Sequence, residues 1–170
     1  MQKAKSNASL SLIRTVLEEP SSQVGLILTD RLMNIPTEVV PPMYNMLLEE
    51  ISWATEEKEP YEFTHYLIIS KAYTEVESQL DKEDSQPQKK SKKSGNKEVF
   101  YFHPEDEILE QHAVAKGGYE YTKQEGEGTS DSKRAFQELG VKPQGRMILI
   151  DGVKFNEVVK AIGDFVNPVS

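Results

Sequence analysis

The sequence predicts a mixed α/β (α+β) domain: a mixed β-sheet of about five strands flanked by helices that cover both faces. Three observations carry this. Two short runs, Val24-Gly25-Leu26-Ile27-Leu28-Thr29 and Tyr66-Leu67-Ile68-Ile69, are continuously apolar over the length of a strand. Tyr44, Leu47, Leu48, Ile51 and Ala54 recur at helical spacing. Strands and helices alternate, but βαβ order is only partial, which argues against an all-parallel sheet.

The elements follow in order. Over 9–19, Leu10, Ile13, Val16 and Leu17 form one face of a short helix that Pro20 and two serines end. The run 24–29 reads as a central strand buried on both faces. A long helix opens near Thr37 and runs to about 57, its first turn tolerating Pro41 and Pro42 because those amides lack intrahelical partners. Glu49, Glu50, Glu56 and Glu57 occupy its wetter side. Residues 63–73 form a second central strand.

Residues 76–98 are nearly devoid of large apolar side chains and read as a disordered charged insertion. A strand resumes at 99–102. His103-Pro104 leads into an acidic helix over 105–113, and 119–122 alternates like a half-exposed strand. Gln124 to Gly128 is a loop, and Ser130 or Asp131 caps a helix to Leu139, with Gly140 at its C-terminal end. Residues 146–150 form a strand, Asp151-Gly152 a turn and 154–166 a last helix, with Phe155, Val158, Val159, Ile162 and Phe165 on one side.

A length of 170 residues suits one domain over 1–170. Twenty Lys+Arg against 28 Asp+Glu give a formal charge of -8, which disfavours phosphate backbones and favours basic partners. The plainer reading of the same charge is solubility. No cysteine is present, which excludes disulfides, thiolate zinc sites and thiol nucleophiles. Neither a span of about 18 apolar residues nor the apolar block of a signal peptide is found, so a nuclear or cytosolic protein without membrane contact is expected.

The sequence carries no recognisable motif for catalysis. No Walker or dinucleotide glycine pattern occurs, and Gly126-Glu127-Gly128 places a carboxylate where a phosphate would sit. His65, His103 and His112 form no i, i+4 ligand pair, and no serine lies in a nucleophile elbow. The pairs and triplets Glu49-Glu50, Glu56-Glu57 and Glu105-Asp106-Glu107 read as solvated helix surface. No catalytic, cofactor-binding or metal-binding residue is nominated. Lys89, Lys90, Lys92 and Lys93 fit a nuclear address read by an importin, or equally a solubilising loop; without interleaved aromatics, direct nucleic-acid binding is not expected.

Four blocks together carry a resemblance. The first is Val24-Gly25-Leu26-Ile27-Leu28-Thr29-Asp30-Arg31-Leu32-Met33-Asn34-Ile35-Pro36, with Glu38-Val39-Val40-Pro41-Pro42-Met43-Tyr44 after it. Tyr66-Leu67-Ile68-Ile69-Ser70-Lys71, Phe100-Tyr101-Phe102-His103-Pro104-Glu105-Asp106-Glu107, and Lys142-Pro143-Gln144-Gly145 before Met147-Ile148-Leu149-Ile150 follow in order. They resemble the C-terminal portion of the BCCIP family, its fungal members most closely.

The resemblance implies a fold similar to the Gcn5-related acetyltransferases without their catalytic equipment. The Arg/Gln-x-x-Gly-x-Gly/Ala loop that holds coenzyme A is missing from the sequence. It also implies a nuclear, non-enzymatic adaptor or chaperone for a basic large-subunit ribosomal protein, with a part in nuclear export of clients such as a lipid kinase. Family members carry an acidic N-terminal extension and a further α/β segment ahead of the region of Ser9. Both are expected to be missing here, and with them any partner surface that segment contributes.

The carboxylates expected to meet a basic partner are Glu49, Glu50, Glu56, Glu57, Glu105, Asp106, Glu107 and Glu110. The alternatives are a divergent coenzyme A-dependent acyltransferase and a weak nucleic-acid-binding module acting through the Lys-rich insertion.

Overall fold

The structure, a computed structural model, describes residues 2–29, 35–60, 62–75, 99–121 and 140–168. Within them lie five strands: β1 (Val24–Leu28), β2 (His65–Glu75), β3 (Val99–Tyr101), β4 (Ala115–Tyr119) and β5 (Val141–Asp151). Four α-helices accompany them: α1 (Gln2–Glu18), α2 (Val40–Glu56), α3 (Asp106–Gln111) and α4 (Phe155–Val166). The expected insertion at 76–98, the loop at 124–128 and the helix ending at Leu139 lie outside the described residues.

The sheet runs β1-β2-β5-β4, with β3 also on β2. β1 is parallel to β2; the β2–β3, β2–β5 and β4–β5 pairs are antiparallel. β5 pairs along all of β2, from His65↔Asp151 to Glu75↔Val141. β1 and β3 therefore share the opposite edge of β2 end to end, β1 opposite 65–69 and β3 opposite 72–74.

The period of two separates the faces. Tyr66, Ile68, Ile148 and Ile150 point to one side, where they pack with Val40 and Tyr44 of α2, Leu109 of α3, and Phe155, Val158, Val159 and Ile162 of α4. Tyr66 stacks on Phe155 with ring centroids 4.2 Å apart, and Tyr44 meets the same ring edge-on at 6.4 Å. On the other side Leu67, Leu149 and Ala115 bury Ile13 of α1, with Leu10 and Val16 beside it. Each fully buried side chain of this size contributes about 1.5–3 kcal/mol, so helices on both faces are needed to close the core.

Several expectations are corrected. β1 is not central: among the described residues it pairs only with β2, and Leu26 and Leu28, on the same sheet side as Leu67 and Ile69, are 63% and 66% exposed. An apolar run reports strand propensity but not strand position. The strand expected at 119–122 lies earlier, at Ala115–Tyr119, where Lys116-Gly117-Gly118 gives no β signal. Gly117 is required there because Leu10 of α1 fills the space of a Cβ. β5 extends back through Pro143, which lies beyond Tyr119↔Gly145, the end of the β4 pairing. Leu17 and Phe165 share the helix sides assigned to them by spacing but stand exposed near the helix ends. Gly140 does adopt a left-handed φ of 68°, the conformation expected of a residue at a helix C-terminus, while the helix expected before it lies outside the described residues.

Candidate functional site

α2 places the carboxylates of the expected partner surface. A 3-10 turn at Thr37–Val39 leads into it, and Pro41 and Pro42 sit in its first turn. Tyr44 is buried, and Leu47, Leu48 and Ile51 pack against the core, which turns the opposite side to water. Glu49, Glu50, Glu56 and Glu57 are all exposed on that side, and no Lys or Arg occurs in Val40–Glu56. Between them stand Met46 at 60% and Trp53 at 66% exposure, with Met43 nearer the start of the helix. The sequence reading missed these three, although their spacing on the wet side was visible.

α3 uses its carboxylates differently. Glu105 and Asp106 are buried, at 2% and 0% exposure, so neither is the solvated surface expected of it, and neither can meet a partner without rearrangement. The Asp106 carboxylate accepts hydrogen bonds from the Ser70 hydroxyl of β2 at 2.6 Å and from the Thr29 hydroxyl just after β1 at 3.0 Å. This buried group locks α3 to the seam where β1 and β3 meet on β2. Glu107 alone of that triplet is exposed.

Glu110 lies in a half-buried cluster. It accepts from the Arg146 guanidinium at 2.7 Å, from the Lys116 ammonium at 2.8 Å and from the Tyr101 hydroxyl. The Arg146 Nε also donates to the Tyr101 oxygen at 3.3 Å. Partial burial works to raise the Glu110 carboxyl, but the bonds from Arg146, Lys116 and Tyr101 outweigh it and hold its pKa below the ordinary 4.5. Burial, then the bond to Glu110 and its negative charge, push the Tyr101 phenol far above its ordinary range. Burial pulls on Arg146 in the opposite sense, but its bond to Glu110 dominates and keeps it fully charged. The cluster ties β3, α3, β4 and β5 together, and its charges are spent internally.

Three carboxylates of the expected set are thus structural, and five remain at the surface: Glu49, Glu50, Glu56, Glu57 and Glu107. Lys89, Lys90, Lys92 and Lys93 lie outside the described residues. Among the described residues no group of three His, Cys, Asp or Glu could hold a metal ion, and no helix is long and apolar enough to cross a membrane.

A sequence profile of BCCIP matches residues 1–109, well over half of the chain. The chain belongs to the BCCIP family. It is 60% identical over 169 residues to Protein bcp1 of Aspergillus fumigatus, with 98% of this chain and 58% of that protein aligned. To Protein bcp1 of Schizosaccharomyces pombe it is 48% identical over 160 residues, covering 92% of this chain and 56% of that one. The solved structure of BCP1 from Saccharomyces cerevisiae superposes with a TM-score of 0.53 at 21% identity, over 90% of this chain and 49% of that chain. That likeness establishes a shared fold. The chain spans little more than half the length of these BCCIP relatives.

Proposed function

We propose that the chain is a non-enzymatic nuclear adaptor or chaperone that shields a basic large-subunit ribosomal protein before its assembly and aids nuclear export of client proteins such as a lipid kinase. The observation that carries this reading is the outer side of α2, where Glu49, Glu50 and Glu56 are exposed with no basic residue in the helix, and exposed Glu57 stands at its C-cap ahead of Lys58. Membership of the BCCIP family and a formal charge of -8 agree with it. Exposed carboxylates with no partner of their own attract a cationic surface at long range and release it as salt rises. In this reading the fold is kin to the Gcn5-related acetyltransferases, with no coenzyme A bound. The Lys-rich run at Lys89, Lys90, Lys92 and Lys93 serves as the address read by an importin.

The test is capture from nuclear extract with the wild-type chain and with a variant carrying Glu49→Lys, Glu50→Lys, Glu56→Lys and Glu57→Lys. Enrichment of a basic large-subunit ribosomal protein on the wild type, lost on the variant, is expected. Equal recovery on both would remove α2 from the account, and failure to recover such a protein on either would overturn the reading.

A further inference from the structure

The outer face of α2 has a pattern beyond its charge. Val39 at the N-cap, Met43, Met46, Glu50 and Trp53 within the helix, and Glu57 at the C-cap follow one another at steps of four, three, four, three and four, the seam of a helix that packs along another helix. All six are exposed, whereas the helix side facing the sheet is fully engaged in the core. Single exposed apolar residues need no explanation, but an aligned row does. From Met43 to Trp53 the row covers about 15 Å at the rise of an α-helix. Methionine adapts to varied apolar shapes, and an exposed tryptophan offers the largest apolar area of any side chain.

We propose that this seam docks a cationic amphipathic helix, a segment of a basic client with large apolar side chains in line and Lys or Arg opposite the carboxylates. The proposal rests on the adaptor reading and specifies the element of the client that is held. Charge chooses the occupant: Glu50 and Glu57 interrupt the apolar row itself, and Glu49 and Glu56 flank it. A second copy of α2 would bring no Lys or Arg to meet them. Elsewhere among the described residues, exposed apolar side chains such as Leu12, Leu26, Leu28, Val114 and Val153 give no sign of what covers them.

Trp53 is the single tryptophan of the chain, so intrinsic fluorescence reports on this site alone. The probe is a tryptophan-free Leu/Lys peptide that folds as an amphipathic helix, with a scrambled peptide of the same composition as control. A saturable blue shift and protection from acrylamide quenching are expected with the amphipathic peptide. The scrambled peptide, or Met46→Glu with the amphipathic one, should bind about tenfold more weakly or worse. Because Met46 is exposed, that variant keeps its core. Equal shifts with both peptides, or no shift, overturn the proposal. So does a shift that follows the chain's own concentration together with a dimer mass in sedimentation. If a basic ribosomal protein binds while Trp53 emission stays unchanged, this docking site fails and the adaptor reading stands. If the amphipathic peptide shifts Trp53 but no ribosomal protein binds, the docking site stands and the client assignment fails.

Discussion

Asp106 gives the sharpest test of how the sheet is held. Its carboxylate is fully buried and accepts from the Ser70 and Thr29 hydroxyls, both of them buried as well. In Asp106→Ala the Thr29 hydroxyl keeps a second acceptor, the Ile69 carbonyl at 3.2 Å. Ser70 loses its carboxylate acceptor at 2.6 Å. Stranding one buried hydroxyl costs about 1–3 kcal/mol, and a hydrogen bond to a charged group contributes about 1.5–3 kcal/mol. These overlap, so a net loss of about 2–4 kcal/mol is expected, a large part of the stability of a domain this size. Urea unfolding followed by far-ultraviolet circular dichroism measures it. Glu107→Ala, one residue along and exposed, is the control and should change stability by less than about 0.5 kcal/mol. A loss for Asp106→Ala no larger than the control's would refute the argument that this carboxylate fastens α3 to β2.

Other consequences can be checked alongside. The Glu110 pKa is lowered by folding, so its contribution to stability is present above the ordinary value of 4.5 and is lost as the pH falls through and below that value. Glu110→Gln should therefore flatten the acid side of a plot of melting temperature against pH, and an unchanged slope would contradict the assignment. In a spectrophotometric titration of the tyrosines, Tyr101 should remain a phenol after exposed tyrosines have ionised, and Tyr101→Phe should shrink the late component, leaving the part that buried Tyr66 contributes. Gly117→Ala should destabilise by about 1–3 kcal/mol through collision with Leu10. Adding Leu10→Ala should recover part of that loss in the double mutant, whereas strictly additive losses would show that the two sites do not touch.

Much of the fold was legible because local chemistry and tertiary environment agree. Tyr66 and Ile68, Phe155 and Val158, and the prolines that open α2 all do in the structure what their spacing and stereochemistry dictate. The sequence misled where the decisive term is non-local. Val24-Gly25-Leu26-Ile27-Leu28 has the composition of a central strand, but its position depends on what pairs with it, and periodicity does not encode that. β4 escaped notice because Gly117 is set by the close approach of α1, a contact more than one hundred residues away in sequence. Asp106 looks like a helix-surface acid until Ser70 and Thr29 are placed beside it. The candidate site was legible in its charges, Glu49 to Glu57, but not in Met46 and Trp53. The apolar residues of the core side follow the same helical spacing, so the second row, exposed on the other side, is not told apart from them by spacing alone.

The proposed function turns on whether this chain holds a basic protein rather than transforming a small molecule. Calorimetry on one preparation of the chain tests it directly, with a purified basic large-subunit ribosomal protein titrated across a range of salt and acetyl-coenzyme A titrated in parallel. The account predicts saturable protein binding that weakens steadily with salt, a salt dependence flattened by charge reversal at Glu49, Glu50, Glu56 and Glu57, and no heat from the cofactor. Saturation by micromolar acetyl-coenzyme A with no protein binding would contradict it.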